Sequence, residues 1–458
     1  MNRKLTDRAN LGQTVGTEAR FFTETIEVET LDPLAFFEAG RSHYGDHRFF
    51  WQNADKTVKL VGVGQAAVLT ADTHRFQSIS RQWKALCGRL IKEEKDMDPV
   101  LFGGFSFDPQ TRQDDEWTAF PAAYFTVPLI QLKIDNGKTY VSINYVTDEL
   151  EAAAQFEGLR QERDRLLHIA QVDEFTLQGK PAIVSQTELA TDRYMEAVEN
   201  VTSQIKAQVA EKVVIARKIK LSFEEEFQKA TALHAITNEQ QASYHFGLQI
   251  GEEMFFGATP ERLVEISKGQ AYSACVAGSI HRGKTALEDQ QLGEQLLRDK
   301  KNREEHQYVV DMITEVFSEF CSSLHVNKTP KLLKVRDIQH LFTPVEGKLA
   351  EDQDIFRLVE ALHPTPALGG VPRKKALAII RDEEQMDRGF YAGPIGWTDA
   401  AGNGEFAVAI RSGLLSGKDA YLYAGGGIVA DSMPTEEYKE TWVKFRPVLR
   451  ALGGSLHE

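Results

Sequence analysis

The most informative absences in this sequence are those of cysteine, of long apolar runs and of net positive charge. Its 458 residues include only three cysteines, whose odd number and wide spacing predict neither a disulfide framework nor a structural zinc site. No apolar stretch approaches the roughly 20 residues that a membrane span needs. The N-terminal MNRKLTDRANLGQT lacks the apolar segment of a secretory signal. We therefore expect a cytoplasmic protein that binds no membrane.

The charge balance narrows the choice of ligands. There are 53 Lys and Arg residues against 67 Asp and Glu residues, a formal net charge of −14 at pH 7. Such a balance argues against general binding to nucleic acid or to anionic membranes. If the ligand is an anion, its site must supply local positive charge from Arg, Lys, backbone N–H groups or a metal ion.

The spacing of apolar residues predicts a mixed α/β or α+β fold. Residues 26–145 are mostly strand-like, and Asn136-Gly137 within them is a strong hairpin signal. A helix is expected at about 148–170, a linker at about 171–190, and then an amphipathic helix capped by Thr191-Asp192. Beyond it, helices alternate with strand-like segments in which apolar and polar residues alternate, as in antiparallel sheets.

Two glycine-bearing segments resemble nucleotide-binding loops. GVGQAA, residues 62–67, fits G-x-G-x-x-A, but the strand-like AVLTAD follows it where the dinucleotide fingerprint requires a helix. GSIHRGKT, residues 278–285, is a literal phosphate-loop match between a strand-like and a helix-like run. However, the bulky Ser-Ile-His-Arg stands where backbone amides should surround phosphates. A nucleotidase stays an alternative on these residues alone.

Carboxylates at helical spacing indicate a site for a divalent cation. In residues 431–449, Glu437, Glu440 and Lys444 fall at i, i+3 and i+7 and therefore share one helix face. In a second helical segment Glu305 continues an apolar stripe, an unfavourable place for an unpaired carboxylate. Glutamates converging from two helices suit Mg²⁺, although a solvated, salt-bridged face is the commoner role of such residues.

Lys212 opens the strand-like EKVVIARKIK. With a period of two, it shares one strand face with Val214 and Ala216. A lysine there is either a gatekeeper on an edge strand or a partly buried amine with a chemical role, and this stretch alone favours the gatekeeper.

Two further features can bind an anion. Arg411, in GEFAVAIRSG, is expected on a strand among alanines, with space above it for a planar anion or for a structural carboxylate. AGGGIVADS places Gly427 before a helix N-terminus, where the backbone can approach an anion closely or simply form a tight turn.

Eight segments occur in an order that identifies a family. They are EKVVIAR, FFGATPERLVEI, ACVAGSIHRG, KNREEHQYVVDMI, ALHPTPALGG, GFYAGPIGW, GEFAVAIRSG and AGGGIVADSMPTEEYKETWVK. Together they resemble the chorismate-utilising enzymes: isochorismate synthase, salicylate synthase, anthranilate synthase component I and aminodeoxychorismate synthase component I. They span residues 211–444 and are more specific than one phosphate-loop pattern. GSIHRGKT then becomes the family's A-G-[ST]-x-x-R-G segment, with Ser279 where threonine is common.

Two positions discriminate within this family. Lys212 resembles the lysine that activates water in isochorismate and salicylate synthases, whereas the ammonia-using members usually carry glutamine there. Ala277 differs from the lysine of the aminodeoxychorismate enzymes' K-G-T. The ALHPTPALGGVP segment is closer to menaquinone-type isochorismate synthases than to siderophore ones. The resemblance therefore implies a Mg²⁺-dependent isochorismate synthase, with a salicylate synthase, which adds pyruvate elimination, as the alternative and a nucleotidase less favoured.

The resemblance also implies a fold. Two stacked, largely antiparallel sheets are flanked by helices, in agreement with the alternating strands. An N-terminal region, 1–185, is expected to pack on a catalytic region, 186–458, in one continuous structural unit. Chorismate is the expected partner, and no obligate partner subunit is expected, so that the protein is a monomer or a homodimer.

The resemblance assigns roles residue by residue. Lys212 is the general base on water, and Glu261, in TPERL, is the general acid, for which a raised pKa is expected. Mg²⁺ is held by Glu305 and Glu440, with Glu437 nearby through water. The residues implied to contact the substrate are Gly278, Ser279, His340, Tyr391, Arg411, Gly427 and Lys444.

Overall fold

The computed structural model describes residues 19–44, 46–111, 113–148, 152–172, 177–334 and 338–455, without the side chains of His43, Val172, Glu305 and residues 152–154. No helix within these ranges is both long and apolar enough to cross a membrane.

The strands are numbered in chain order. They are β1 Arg20–Val28, β2 His47–Gln52, β3 Val58–Val63, β4 Ala67–Thr70, β5 Leu90–Ile91, β6 Val100–Phe105, β7 Ala123–Val127, β8 Ile130–Asp135, β9 Lys138–Thr147, β10 Ile183–Leu189, β11 Lys212–Phe223, β12 Tyr244–Ile250, β13 Glu253–Thr259, β14 Arg262–Ser267, β15 Gln270–His281, β16 Cys321–Val326, β17 Lys331–Lys334, β18 Ile338–Leu349, β19 Gly370–Val371, β20 Pro394–Asp399, β21 Gly404–Val408, β22 Ser412–Ser416 and β23 Asp419–Ile428.

The α-helices are numbered in the same way. They are α1 Pro33–Ala39, α2 Arg41–Tyr44, α3 Arg75–Cys87, α4 Ala152–Val172, α5 Thr191–Lys206, α6 Lys229–Glu239, α7 Ala286–Arg298, α8 Lys300–Phe320, α9 Ile355–Leu362, α10 Arg373–Glu384 and α11 Pro434–Ala451.

The chain forms two compact units. The first comprises residues 1–261, 364–400 and 407–458, and the second comprises residues 262–363 and 401–406. Residue 185, the end of the expected N-terminal region, lies in β10 within the first unit. The assignment of separate roles to residues 1–185 and 186–458 stays a prediction.

A large, almost wholly antiparallel sheet organises the first unit. Its strand order is β10-β11-β23-β22-β13-β12-β2-β3-β8-β9-β1-β5, with β19 also beside β11. Only the short pairing of β1 with β5 is parallel among these described strands. The predicted hairpin at Asn136-Gly137 is confirmed, because it joins β8 to β9 with φ angles of 49° and 85°, the positive values that a two-residue hairpin turn requires.

A second layer of strands covers this sheet within the first unit. The order is β20-β6-β7-β4, and every residue of β6 is buried. Phe102 of β6 stacks on Phe49 of β2 with the ring centroids 4.4 Å apart, and Trp51 lies beside it. This interdigitation of aromatic side chains is what joins two sheets face to face. The predicted stack of largely antiparallel sheets is therefore confirmed.

Helices cover the other face of the large sheet near β11 and β23. The amphipathic α5 buries Tyr194, Ala197, Val198, Val201 and Ile205, at the spacing of one helix face. Two local predictions here were wrong.

The helix begins at Thr191, so the predicted cap Thr191-Asp192 is already its first turn. The capping position is Ala190 instead, in a left-handed conformation with φ of 54° and no side-chain cap. The linker expected at 171–190 contains β10, whose partly exposed residues gave no apolar alternation to find.

The second unit has its own antiparallel sheet and helices. The order is β16-β18-β15-β14, with β17 also paired to β18. Helix α8 packs against β15 and β18, and α9 against β14. Cys275, Ile313, Phe317 and Leu341 are buried in this unit.

Candidate active site

Lys212 begins a strand that has neighbours on both sides. It pairs with Val371 of β19, and the next residue, Val213, pairs with Ile428 of β23 as well as with Gly370. A gatekeeper lysine protects an open sheet edge, and Lys212 has no such edge to protect. The edge-strand interpretation was therefore wrong.

The side chain of Lys212 lies across Gly427. Val214 and Gly427 face each other directly in the β11–β23 pair, so they share the sheet face of Lys212. A methyl group built on Gly427 would be 2.7 Å from Lys212 Cε and 3.5 Å from Nζ. Any other residue at 427 must therefore displace the lysine, because real Cβ atoms do not approach so closely.

The neighbouring Gly426 makes room in the same way for Glu437. A methyl group built on Gly426 would be 2.9 Å from Glu437 Oε2 and 3.6 Å from the Tyr194 hydroxyl. Successive strand residues point to opposite faces. Two adjacent glycines of β23 thus accommodate a lysine on one face of the sheet and a glutamate on the other.

The acidic face of α11 is held in place by hydrogen bonds. Lys444 Nζ lies 2.6 Å from Glu440 Oε1 and donates to the Gly425 carbonyl at 2.7 Å. The Ser432 hydroxyl donates to Glu437 Oε1 at 2.6 Å. Burial raises the pKa of Glu437, and the charge of Glu440 adds to the rise, while Ser432 and Lys444 oppose it. Burial is therefore the main cause of the rise, and the like charge of Glu440 is a smaller one.

These carboxylates fit a hard divalent cation in type but do not complete a site alone. Glutamate oxygens are the ligands that Mg²⁺ prefers, and Mg²⁺ commonly takes one or two carboxylates together with waters and substrate oxygens. No group of three His, Cys, Asp or Glu side chains in the described part of the chain could hold a metal. Glu305, the other predicted ligand, lies on α8, and its side chain is outside the described residues.

Glu261 has the electrostatic character expected of an acid. Its backbone is fixed just after β13, where its N–H donates to Thr259 Oγ1 at 3.2 Å and its carbonyl accepts from Val408 N–H at 3.0 Å. Burial raises the pKa of the Glu261 carboxyl to about 7, against the opposing charges of Arg411 and Lys212. The expected rise in pKa is confirmed, whereas the role of general acid stays a prediction.

Arg411 occupies a turn and not the strand that the sequence predicted. Strand β21 ends at Val408, and the Ile410 N–H donates back to the Val408 carbonyl at 2.8 Å. The φ angle of Arg411 is 52°, a left-handed conformation that costs a residue with a side chain about 1 kcal/mol or more. Alternation along GEFAVAIRSG could not reveal this turn.

The turn gives Arg411 a specific electrostatic environment. The Ala258 N–H donates to the Arg411 carbonyl at 3.1 Å and so anchors the turn to β13. Burial lowers the pKa of the Arg411 guanidinium, and the nearby Tyr391, Glu261 and Glu440 oppose that change. The guanidinium thus belongs to the same cluster as the Glu261 carboxyl.

Tyr391 supplies a neutral hydroxyl to this cluster. Its side chain is buried, and its ring stacks on Tyr423 with the centroids 5.4 Å apart. Burial raises the pKa of the Tyr391 phenol to about 12, although the charges of Arg388 and Arg411 act in the opposite direction. The phenol therefore keeps its proton at neutral pH and can donate a hydrogen bond.

In the second unit the structure brings two predicted residues together. Ser279 and His340 face each other in the β15–β18 pair, with Oγ and Nδ1 2.7 Å apart. Burial lowers the pKa of His340, so the imidazole is mostly neutral at pH 7. Gly278 lies at an irregularity of β15, with φ of 76°. Their contacts with a substrate stay predictions.

The phosphate-loop interpretation of residues 278–285 was wrong. Gly278 to His281 belong to β15, so the expected loop is largely extended strand. The N–H of Gly283 donates to Asp289 Oδ1 at 3.0 Å, and the N–H of Lys284 donates to Glu288 Oε2 at 2.8 Å. These amides are already bound to carboxylates that would repel a phosphate. The GVGQAA segment connects two strands, β3 and β4, which excludes the dinucleotide fingerprint as well.

Sequence reasoning missed Glu384 and Arg388. They form a buried ion pair next to β11, and Arg388 Nη2 donates to the Val214 carbonyl at 2.8 Å. An i, i+4 Glu–Arg spacing is typical of exposed helix faces. Only the spacing was visible in the sequence, because the contact with β11 joins segments far apart in the chain.

Comparison with known proteins gives consistent matches. A sequence profile described as "Chorismate binding enzyme" matches residues 7–453. The chain is 42% identical over 439 residues to "Isochorismate synthase MenF" of Bacillus subtilis, covering 93% of this chain and 92% of that protein. It is 35% identical over 441 residues to "Salicylate biosynthesis isochorismate synthase" of Pseudomonas aeruginosa, covering 94% and 90%.

Solved structures match in fold. The menaquinone-specific isochorismate synthase MenF of Escherichia coli superimposes with a TM-score of 0.78 at 24% identity, covering 98% of each chain. Anthranilate synthase component I of Streptococcus pneumoniae gives a TM-score of 0.66 at 20% identity, covering 95% of this chain and 93% of the other. At these identities the likeness concerns the fold alone.

Proposed function

This chain belongs to the chorismate-binding enzyme family, and we propose from that membership that it is an isochorismate synthase. It converts chorismate to isochorismate by adding water at C2 with loss of the C4 hydroxyl. One observation carries the proposal beyond family membership. Lys212 lies across Gly427, and its charge influences the pKa of the Glu261 carboxyl, which is about 7. One hydration step requires such a pair, a base and an acid that influence each other.

The reaction needs one proton removed and one supplied. Lys212 accepts a proton from water while the water oxygen bonds to C2 of the ring. The two ring double bonds shift, the C4–O bond breaks, and Glu261 donates its proton to the departing hydroxyl, which leaves as water. One water enters and one leaves, so the product is an isomer of the substrate. Positioned acids and bases typically contribute about 10²- to 10⁴-fold to a rate.

Binding of the substrate requires local positive charge in a protein of net charge −14. We assign the enolpyruvyl carboxylate to Arg411, Tyr391 and the Gly427 N–H, because a guanidinium, a phenol that keeps its proton and a backbone amide are suitable donors. Lys444 lies nearby through its bond to the Gly425 carbonyl and serves the other carboxylate. The resemblance adds Gly278, Ser279 and His340 to the set that contacts substrate.

We propose Mg²⁺ as the cofactor, held by Glu440 and Glu305 with Glu437 acting through water. The like-charge interaction between Glu437 and Glu440 supports a cation at this helix face. When bound, Mg²⁺ neutralises the ring carboxylate of a dianionic substrate. Lys444, which is paired with Glu440, orients the same ring carboxylate whether or not Mg²⁺ is bound.

The pathway and cellular setting follow as narrower proposals. The higher identity to the Bacillus protein than to the Pseudomonas one favours the menaquinone branch over a siderophore or salicylate branch. We expect the protein to act in the cytoplasm as a monomer or homodimer without an obligate partner subunit. Cys87, Cys275 and Cys321, which all lie within the described residues, form no disulfide with one another.

Product analysis tests this function. Purified protein incubated with chorismate and Mg²⁺ should yield isochorismate, followed by NMR, and a chelator should stop the conversion. Salicylate with equimolar pyruvate would assign the chain to the salicylate synthases instead. Unchanged chorismate at every Mg²⁺ concentration would contradict the proposal.

A further inference from the structure

Strand β11 has a gap in its hydrogen-bond ladder just after Lys212. On the side away from β23, Lys212 and Val213 pair with β19, and pairing with β10 begins only at Lys218. Residues 214–217 therefore have no strand neighbour on this side among the described residues. Buried backbone groups in such a gap must find other partners.

Side chains and a loop fill this gap. The Val214 N–H donates to the Gly369 carbonyl at 3.0 Å, and the Val214 carbonyl accepts from Arg388 Nη2 at 2.8 Å. The Ala216 N–H donates to Glu384 Oε1 at 2.7 Å. The Arg388 guanidinium thus supplies the donor, and the Glu384 carboxylate the acceptor, that a neighbouring strand would provide.

The pair that fills the gap is rigid and buried. The side chains of Arg388 and Glu384 are 2% and 1% exposed and form an ion pair. Arg388 also donates to the Leu368 carbonyl at 3.1 Å, and its guanidinium lies 4.1 Å from the centre of the Phe107 ring. A guanidinium with this many fixed contacts has little freedom to move.

The same residue connects two members of the candidate active site. Val214 is two residues from Lys212 on the same strand face. Any change of strand twist at Val214 therefore changes the direction of the Lys212 side chain. The backbone carbonyl of Arg388 accepts from the Tyr391 N–H at 2.9 Å. Arg388 therefore contacts the strand of Lys212 through its side chain and the loop of Tyr391 through its backbone.

We infer that Glu384 and Arg388 are positioning residues, which hold residues 214–216 of β11 in place so that Lys212 lies across Gly427. The catalytic consequence rests on the proposed function, while the effect on the strand does not. A purely structural ion pair would stabilise the fold without a specific effect on Lys212, and experiment separates the two cases.

The chain provides a matched control in Arg48 of β2. Its side chain is also 2% exposed, lies 3.6 Å from a carboxylate of Glu38 and donates to the Phe37 carbonyl at 2.8 Å. Its guanidinium is 4.2 Å from the centre of the Phe37 ring. Arg48 thus shares the burial and contacts of Arg388 but lies on a strand distant from β11 in the sheet order.

The first test is Arg388→Lys against Arg48→Lys. Lysine keeps the charge but cannot reproduce the planar, forked donor. We expect Arg388→Lys to lower kcat roughly 10- to 100-fold, as a small misplacement of a catalytic group does, with KM for chorismate within about twofold. Amide hydrogen exchange in a peptide spanning Val214 and Ala216 should accelerate in Arg388→Lys alone. Arg48→Lys should change neither quantity in the folded protein.

The second test covers a failure of the single variant to fold. Glu384→Gln with Arg388→Gln removes both buried charges together and leaves no uncompensated ion. This double variant should melt near the wild-type temperature and show the same faster exchange and lower kcat. Unchanged exchange at Val214 and Ala216 in the folded double variant would overturn the inference.

The two kinds of failure are distinguishable. If wild-type protein made no isochorismate, the proposed function would fail, while the exchange measurement would still decide whether the pair holds the strand. If exchange accelerated but kcat stayed at the wild-type value, the strand would be held by the pair and the positioning of Lys212 would be refuted.

Discussion

Two glycine-bearing segments that precede helices differ in how well their sequence pattern indicates their chemical role. Residues 278–285 match a phosphate loop literally, whereas residues 424–432, AGGGIVADS, match no phosphate-loop pattern. In the first segment the amides of Gly283 and Lys284 are bound to carboxylates of the following helix. In the second, Gly426 and Gly427 leave space for Glu437 and Lys212.

The difference lies in which polar groups are already satisfied. Hydrogen bonds from Arg282 and Lys334 hold the pKa of Asp289 well below its usual range, so this carboxylate is fully ionised and committed to the fold. Burial instead raises the pKa of Glu261 to about 7. A carboxyl with a pKa near neutrality can exchange its proton during a reaction. A pattern of glycines and a lysine carries no information on that distinction.

The largest expected effect separates the two lysines. Lys212→Ala should lower kcat by about 10³-fold, because it removes the base on water. Lys284→Ala should leave kcat unchanged, because Lys284 is exposed and its amide is bound to Glu288. Steady-state kinetics with chorismate and melting curves of both variants measure this. Equal activity of the two variants would contradict the assignment of a catalytic role to Lys212 and of no catalytic role to Lys284.

The second prediction uses the two carboxyls. Glu261→Gln should lose most of the activity. Since Glu261 acts in its protonated form, the ratio of wild-type to Glu261→Gln kcat/KM should fall about tenfold per pH unit as pH rises above about 7, because the base is the same in both proteins and cancels from the ratio. Asp289→Asn should show the same fall relative to Glu261→Gln. A ratio that stays flat from pH 6 to 9 would contradict the assignment of the acid.

The same pKa has a consequence for stability. The folded-state pKa of Glu261 lies above its unfolded value, so the native state binds more protons between the model-compound range of about 4.3 and about 7. The free energy of unfolding should therefore fall as pH rises through this window. Glu261→Gln should lose part of that dependence in denaturant titrations at pH 5 and 8.

A smaller effect is expected from one methyl group on the second segment. Gly427→Ala should lower kcat roughly tenfold, because its Cβ occupies the space of Lys212 Cε and moves the amine. The displaced atoms are the far end of a flexible side chain, so the melting temperature should change little. Gly158→Ala, in α4 with open space around the new Cβ, is the control and should keep full activity.

The smallest effect on catalysis concerns the first segment. Asp289→Asn removes a carboxylate that accepts from Arg282, Lys334 and the Gly283 N–H. The second unit should melt at a lower temperature, and ATP should not restore it, because the Lys284 amide stays bound to the Glu288 carboxylate, which would repel a phosphate. A melting temperature raised by ATP in the wild-type protein would restore the phosphate-loop interpretation.

The sequence predicts the elements that local chemistry decides. The Asn136-Gly137 hairpin, the strand of Lys212 and the shared face of Glu437, Glu440 and Lys444 depend on periodicity and turn residues. The stacked antiparallel fold and the raised pKa of Glu261 were also anticipated, through the family resemblance and the chemistry that it implies.

Features decided by long-range contacts were missed. Arg411 leaves its strand because its carbonyl is bound to Ala258 in another strand, and no alternation of apolar residues reveals that bond. Helix α5 has an unfavourable left-handed Ala190 at its capping position because tertiary packing overrides local capping preference. The role of Arg388 depends on a gap in a ladder formed by three separate segments.

We propose that this site adds water to the ring, and oxygen isotope incorporation tests that proposal most directly. Chorismate and Mg²⁺ should be incubated with the enzyme in ¹⁸O-enriched water, and the first isochorismate formed should be analysed by mass spectrometry. We expect one ¹⁸O atom per product molecule, located at C2, and about 10³-fold slower formation of labelled product by Lys212→Ala. Early product without ¹⁸O would show that the C4 hydroxyl migrates within the substrate, which would contradict the role of Lys212 as the base on water.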